Sequence, residues 1–231
     1  MKYIFFILFF LNISGQEAFL LGNKFFKEKE YVQAINSYNK IKHKGFGAWF
    51  NIGISNLKLD NYLGALVAFK RAERIANYKE INLVNQNLER IYNKVNLPFK
   101  PSHLIKFLKF FSFIFLQLIL ILLIYSIFAL IYKRKFFQYV VVLSTLFIFF
   151  GIIYFLKSKI ALERKCIVTG LIENDKIGEI DLYVGPGQEF HKIYALNFGL
   201  ECKIKKEVQD WFLINCKNKN GWIKKNDCTE V

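Results

Sequence analysis

This chain has few proline, histidine and acidic residues, and each of these low counts argues against certain classes of protein. With only 3 Pro and 13 Gly in 231 residues, the chain is neither collagen-like nor a proline-rich disordered protein. The 18 Asp and Glu residues face 33 Lys and Arg, which gives a formal net charge of +15. Hydrophobic residues nevertheless make up 54% of the chain. This combination argues against a single soluble domain.

The excess positive charge is confined to the first two thirds of the chain. Residues 16–102 contain 14 basic and 7 acidic residues, and residues 103–160 contain 7 basic residues and no acid. Residues 161–231 contain 11 of each. Basic residues beside apolar segments suit an anionic lipid bilayer, at about 1 kcal/mol each. No groove-entering motif is present, so we expect no nucleic-acid partner.

The N-terminus has the features of a signal peptide. Lys2 precedes an apolar run over 3–13, and small residues follow at Ser14 and Gly15. The run is shorter than the roughly 20 residues that a membrane-spanning helix needs. We predict a signal peptide over 1–15, with export of the chain that follows. The alternative is a buried N-terminal helix.

Two long uncharged segments follow in the middle of the chain. Residues 110–132 and 136–156 carry no charge, and only the basic residues 133–135 separate them. Each is long enough to cross a bilayer and shows no polar face. The sequence therefore predicts two transmembrane helices, over 104–132 and 136–157.

The predicted topology combines the signal peptide with these segments. The basic link at 133–135 is expected in the cytoplasm by the positive-inside rule. Export of residues 16–102 and an even number of crossings then place both soluble parts outside. The predicted location is the bacterial inner (cytoplasmic) membrane, as a multi-pass protein with both soluble domains extracytoplasmic.

The first exported segment contains an internal repeat. Sliding 16–76 on itself by 31 residues aligns three pairs of structurally informative residues, which are Gly22 with Gly53, Ala34 with Ala65, and Tyr38 with Phe69. Small residues allow helices to approach closely, and an aromatic residue four positions later lies on the same face. Helices are predicted over 16–28, 30–43, 46–59 and 61–76, with a capping helix over 78–95.

This pattern resembles the tetratricopeptide repeat, so we assign 16–96 to a domain of two repeats plus a capping helix. The second copy carries the consensus residues Trp49, Ile52, Gly53, Ala65, Phe69 and Ala72. The resemblance implies a partner-binding groove along the first helix of each repeat. By position, its residues are Phe19, Asn23, Phe26, Lys27, Phe50, Ile54, Leu57 and Lys58. The alternative is that several of these residues pack between helices.

The last part of the chain changes to short alternating runs typical of strands. These runs lie at 166–168, 180–184, 201–204, 211–214 and 221–223, with turn residues at 173–175, 185–187 and 218–221. The ordered motifs 182–187, 196–206, 211–214 and 220–223 resemble the bacterial SH3 domain. The runs by themselves are typical of a small barrel or a sandwich, and the resemblance implies a small all-β barrel over 164–231.

All four cysteines lie in this last segment. An even number of Cys in a small exported domain favours disulfides, and three pairings are possible. We favour Cys202 with Cys216, across the turn at 207–210, and Cys166 with Cys228, which joins the two ends. The alternative is four free thiols. The spacing does not favour zinc.

No catalytic constellation is evident, so we do not expect an enzyme. The three histidines, His43, His103 and His191, lie in different segments. Cys216 with His191 would be a nucleophile and base, but nothing in the sequence orients them. The sequence indicates no cofactor and no metal site.

The order of the parts predicts a multidomain membrane protein, with tetratricopeptide hairpins, two transmembrane helices and an SH3-like barrel. This order resembles the repeat-containing member of the bacterial Bat (aerotolerance) membrane proteins, and 49–93 and the Gly221-Trp222-Ile223 ending carry the likeness. The resemblance implies an interaction scaffold of the envelope in a stress or aerotolerance complex, with von Willebrand-type Bat membrane proteins as partners beside a MoxR-type ATPase. The alternative function is a peptidoglycan-binding module that recruits an enzyme.

Overall fold

The computed structural model describes residues 2–95, 99, 101, 103–132, 137–169, 172–173, 176–177 and 180–231. The chain divides into two units. The first unit comprises Met1–Ala76, Glu80–Phe99 and Arg164–Val231, so it joins the two ends of the sequence. The second comprises Asn77–Lys79 and Lys100–Glu163.

Five helices form the N-terminal part of the first unit. They are α1 (Lys2–Lys27), α2 (Tyr31–Asn39), α3 (Phe46–Lys58), α4 (Tyr62–Ile75) and α5 (Glu80–Lys94). Lys29 and Asp60 adopt positive φ angles of 63° and 54° in the α1–α2 and α3–α4 turns, 31 residues apart. Asn61 caps α4 by accepting a hydrogen bond from the Gly64 amide at 3.0 Å. These bounds agree with the predicted helices to within two residues, apart from the early start of α1 and the end of α2, which lies four residues before the predicted end.

The repeat in the sequence corresponds to a repeated contact between helices. Gly22 of α1 faces the ring of Tyr38 in α2, and Gly53 of α3 faces the ring of Phe69 in α4. A Cβ atom would lie 2.5 Å from Tyr38 Cε1 at the first glycine and 2.7 Å from Phe69 Cε1 at the second. The two rings therefore occupy space that only glycine leaves open.

The C-terminal part of the first unit is an antiparallel sheet. Seven strands pair in the order β5-β4-β8-β7-β6-β1-β9. Their bounds are β1 (Lys165–Val168), β4 (Ile180–Tyr183), β5 (Lys192–Leu196), β6 (Glu201–Val208), β7 (Trp211–Cys216), β8 (Lys219–Lys224) and β9 (Cys228–Glu230). A separate two-stranded ribbon is formed by β2 (Ile172–Glu173) and β3 (Lys176–Ile177). The predicted strands are present, but β2, β3, β5 and β9 were not predicted.

The prediction of a closed barrel is wrong. The sheet is open, because its edge strands β5 and β9 pair only with β4 and β1 among the described strands. The edge at β9 is covered by helix α4, whose Arg71 and Arg74 donate to the backbone carbonyls of Glu230 and Val231. The helices are likewise not a free-standing array of tetratricopeptide hairpins, because α4 and α5 share a buried core with the sheet.

The prediction of two membrane-spanning helices is also wrong. The second unit contains α6 (His103–Phe110), α7 (Phe113–Tyr132) and α8 (Phe137–Leu162). Among the described residues, only Val141–Leu162 is long and apolar enough to cross a membrane, whereas Phe115–Phe128 is shorter. The segment predicted over 104–132 is interrupted, because α6 ends at Phe110 and the Ser112 hydroxyl accepts from the Phe115 amide at 3.0 Å to start a new helix. The basic link at 133–135 lies outside the described residues.

Candidate functional site

The helices and the sheet meet in a shared apolar core. Ile167 of β1, Phe198 and Val231 are 0%, 2% and 7% exposed and belong to the same buried cluster as residues of α4 and α5. The helical residues of this cluster are Ala65, Leu66, Phe69, Ala72, Val84, Leu88 and Ile91. Burial of apolar side chains from both ends of the sequence stabilises the helices and the sheet as one body.

A charged network crosses the same interface. Lys70 of α4 lies 2.8 Å from a carboxylate oxygen of Glu201 in β6 and 3.0 Å from Glu73. Lys165 of β1 lies 2.7 Å from the other carboxylate oxygen of Glu201. The side chains of Lys70 and Glu201 are only 12% and 28% exposed. Glu201 therefore has a cation on each oxygen, which is the arrangement that a half-buried carboxylate needs.

The network shifts the pKa values of its members in opposite directions. Burial by itself would raise the pKa of Glu201, but Lys70 and Lys165 outweigh that effect and lower it to about 2. Burial by itself would lower the pKa of Lys70, but Glu73 and Glu201 raise it above its ordinary value. Both groups are thus charged at neutral pH, and each stabilises the charged form of the other.

Trp49 of α3 connects this interface to the helical hairpins. The Arg71 guanidinium lies 4.8 Å from the Trp49 ring centroid and also donates to the Glu230 carbonyl at 2.9 Å. The Lys44 ammonium lies 5.2 Å from the same ring. Trp49 is one of the consensus residues of the repeat. Its ring forms a cation–π contact with Arg71, which also reaches the edge of the sheet.

The predicted groove residues lie on helices α1 and α3, which contact each other. Six of the eight are half-buried, namely Phe19, Asn23, Phe26, Phe50, Ile54 and Leu57, and the two lysines, Lys27 and Lys58, are exposed. Part of each apolar side chain packs inside the helical layer. Phe19 lies 5.8 Å from Tyr38 and Phe50 lies 5.5 Å from Phe69, measured between ring centroids.

A hydrogen-bonded triad holds the two helices at the middle of this face. The Asn51 amide of α3 donates to Asn23 Oδ1 of α1 at 3.0 Å and to the Tyr38 hydroxyl at 3.1 Å. The Tyr38 hydroxyl donates to Asn23 Oδ1 at 2.7 Å. Burial raises the pKa of Tyr38, so its hydroxyl stays protonated. Asn23 is therefore engaged within the protein, and the neighbouring side chains form the surface that a partner could contact.

The four cysteines lie in the two pairs favoured by the sequence. Cys202 and Cys216 face each other across the β6–β7 hairpin with their Cα atoms 4.7 Å apart. Cys166 and Cys228 join β1 to β9 with a Cα separation of 5.8 Å. Both pairs are at disulfide distance, and all four side chains lie in the core of the sheet.

A surface pocket that the sequence did not reveal lies at one end of the sheet. Its volume is about 580 Å³, and its lining combines Trp211 with the polar side chains Gln188, Glu189, Asp210, Lys224 and Asn226. Trp211 is held by the ring of Tyr183, edge to face at 5.5 Å between centroids. The Gly185-Pro186-Gly187 turn and Trp211 are visible in the sequence, but their convergence depends on the pairing of β4 with β8 and of β8 with β7.

The candidate nucleophile and base do not meet as a catalytic pair. Cys216 is 2% exposed and lies at disulfide distance from Cys202, whereas His191 is exposed in the β4–β5 connection. In the described part of the chain, no cluster of three or more His, Cys, Asp or Glu residues could hold a metal ion. His103 lies at the start of α6 and His43 between α2 and α3.

No protein family, no curated protein and no solved structure matches this chain.

Proposed function

We propose that the protein is a membrane-anchored scaffold that binds other proteins of the bacterial envelope through the face of α1 and α3. The observation that carries this proposal is the group of five half-buried apolar residues that neighbour Asn23 on two adjacent helices, with Lys27 and Lys58 exposed on the same helices. Interaction surfaces commonly combine partly exposed aromatic side chains with a charged rim.

The chemistry of this face selects the partner. Phe19, Phe26 and Phe50 offer apolar contact, while Lys27 and Lys58 lie in the last turns of their helices. Residues 16–102 contain twice as many basic as acidic residues, 14 against 7. A peptide segment with apolar and acidic side chains complements this surface in both shape and charge. A von Willebrand-type Bat membrane protein is our proposed source of such a segment.

We infer the location of the scaffold from the contacts within the first unit. Residues before the apolar segment and residues after it share one core and one ion-pair network, so they lie in the same compartment. The membrane contact in this proposal lies in the segment between them, at the span-length stretch Val141–Leu162. Two cysteine pairs at disulfide distance favour the oxidising, extracytoplasmic side.

Charge reversal of the groove rim tests the partner surface. The wild-type full chain and the double variant Lys27→Glu with Lys58→Glu are each purified and reconstituted in liposomes. The wild-type protein is expected to bind the proposed von Willebrand-type Bat membrane protein, and the double variant is expected to lose this binding. Lys40→Glu is the matched control, since Lys40 is exposed at the C-terminal end of α2, outside the proposed face. Equal retention by all three proteins would overturn the proposed surface.

A second candidate function is peptidoglycan binding by the pocket at Trp211. Its volume of about 580 Å³ lies in the range of ligand sites, and carboxylate, amide and ammonium groups surround one aromatic ring. Such a lining can hydrogen-bond sugar hydroxyls and peptide groups. Sedimentation with purified murein tests this function, and Asp210→Asn with Glu189→Gln is expected to reduce it. If wild-type protein fails to sediment with murein, this candidate is eliminated.

A further inference from the structure

The exposed apolar side chains of the sheet are concentrated on one hairpin. In the described part of 164–231, the large apolar side chains that are exposed are Val184 (61%), Phe190 (42%), Ile193 (47%) and Tyr194 (40%). All four belong to the hairpin formed by β4, β5 and the connection between them. Such concentration on one element marks a contact surface rather than the scattered exposure of an ordinary protein surface.

Two local features shape this hairpin. The ring of Phe190 covers Gly185, where a Cβ atom would lie 2.6 Å from Phe190 Cδ1. Ile193 is the extra residue where the β4–β5 register shifts, because Leu182 pairs with Tyr194 and Tyr183 pairs with Lys192. A bulge of this kind redirects side chains at the edge of a sheet.

Cationic side chains lie beside the apolar ones. The Lys219 ammonium of β8 lies 3.9 Å from the centroid of the Tyr194 ring. Lys217 is exposed two residues earlier, in the β7–β8 turn. Lys192 extends from β5 and pairs with Asp181 at 2.5 Å. Aromatic residues with adjacent lysines are typical of protein segments at the interface between water and an anionic bilayer.

We infer that the β4–β5 hairpin, with Lys217 and Lys219 beside it, rests on the surface of an anionic lipid bilayer. The chemistry of the hairpin supports this partner, because exposed aromatic and aliphatic side chains lie next to a lysine whose charge is opposite to that of the lipid. The inference rests on the membrane anchoring in the proposed function.

A strand from another protein fits the observations less well. Strand addition at the free edge of β5 would cover Ile193 and Tyr194. It would leave Val184 and Phe190 uncovered, since both lie outside the strands, in the β4–β5 connection. A bilayer surface is not limited to a strand edge, so residues of the connection are also available to it.

Site-specific photocrosslinking in the full chain tests this inference. A photoreactive benzoylphenylalanine replaces Ile193 in one protein and Phe190 in a second, and both are reconstituted in liposomes that contain phosphatidylglycerol. The control carries the probe in place of Lys205, which is exposed in β6, away from the hairpin. All three substitutions are at exposed positions, and unchanged thiol alkylation confirms that each protein folds.

We expect lipid adducts at 193 and 190 to exceed those at 205 by about tenfold, and to decrease when phosphatidylcholine replaces the anionic lipid, because each lysine adds attraction to a negative surface. Equal lipid yields at 193 and 205 would overturn the inference, as would protein adducts in place of lipid adducts. Flotation of the liposomes separates the two proposals. A chain that does not float overturns membrane anchoring and this inference together, whereas a chain that floats without lipid adducts at 193 overturns only the inference.

Discussion

Lys70 of helix α4 and Glu201 of strand β6 form an ion pair at 2.8 Å across the interface between the helices and the sheet. The pair links a residue that precedes the apolar segment with one that follows it. Because both side chains are largely buried, its contribution to stability depends strongly on whether each partner keeps its charge.

Acid should weaken the interface in a defined pH range. The ordinary pKa of Glu201, 4.5, falls to about 2 in the folded protein. Its charged form therefore stabilises the fold fully above about pH 4.5, and this contribution, about 3 kcal/mol at most, is lost as the pH falls toward 2. Lys70 stays charged throughout this acidic range, because Glu73 and Glu201 raise its pKa above the ordinary value of 10.5, so the acidic loss is set by protonation of the carboxylates.

Thermal unfolding of the full chain at pH 6 and pH 3 measures this effect. Glu201→Gln should destabilise the protein at pH 6 and should show a smaller loss between the two pH values than wild type. Other carboxylates titrate equally in both proteins, so the difference isolates Glu201. The same pH dependence in both proteins would contradict the low pKa.

Removal of the Lys70 charge should cost more than removal of an exposed charge. Lys70→Met leaves Glu201 half-buried with Lys165 alone, and breaking a buried pair in this way costs on the order of 3–5 kcal/mol. Lys192→Met is the matched control. Its ion pair with Asp181 is shorter, 2.5 Å, but its side chain is 63% exposed, and such pairs contribute about 0–1 kcal/mol. Denaturant unfolding that ranks the two variants in the opposite order would refute this prediction.

The two glycines that face aromatic rings should resist enlargement. Gly53→Ala forces the Phe69 ring to move, because the new Cβ atom would lie 2.7 Å from Cε1 in a buried position. Overpacking of this kind costs about 1–3 kcal/mol. Gly22→Ala, against Tyr38, should behave similarly.

Gly45→Ser provides the control for these glycines. Gly45 is the N-cap of α3, and no atom lies within 4 Å of a Cβ built there. Serine is favoured at an N-cap, so the change should alter the free energy of unfolding by less than about 0.5 kcal/mol. A melting temperature of Gly53→Ala that equals that of Gly45→Ser would show that the Phe69 ring adapts without cost.

The two cysteine pairs should form disulfides of unequal importance. The separation is 62 residues for Cys166 and Cys228 and 14 for Cys202 and Cys216. In the chain-entropy model these loops correspond to about 4 and about 3 kcal/mol. Thiol alkylation of membranes, read by mass, should label the cysteines only after reduction. Four thiols labelled without reductant would remove the disulfides and weaken the case for an oxidising compartment.

The first pair should also affect the helices. Cys228 begins β9, the edge strand whose last residues accept hydrogen bonds from Arg71 and Arg74 of α4. Alanine at Cys166 and Cys228 should therefore speed hydrogen exchange in α4, whereas alanine at Cys202 and Cys216 should leave it nearly unchanged. Equal effects on α4 would show that β9 does not hold the helix.

Much of the local structure could be predicted from the sequence. The helix bounds, the glycine–aromatic contacts of the repeat and the Cys202–Cys216 pair depend on residues close in sequence or on a recurring pattern. Periodicity and turn residues report such features directly. The prediction of one continuous helix over 104–132 failed, because a lack of charged residues does not indicate that a new helix starts at Ser112.

The tertiary structure alone decided how the two ends of the chain combine. Lys70 and Glu201 are common residue types that lie far apart in the sequence, so no sequence pattern predicts that they form an ion pair. At the β9 edge, the arginines of α4, rather than another strand, donate to the carbonyl groups of Glu230 and Val231. Sequence patterns encode which residues are apolar, charged or small at each position, whereas the choice between partners depends on the burial and hydrogen bonds that only the complete fold provides.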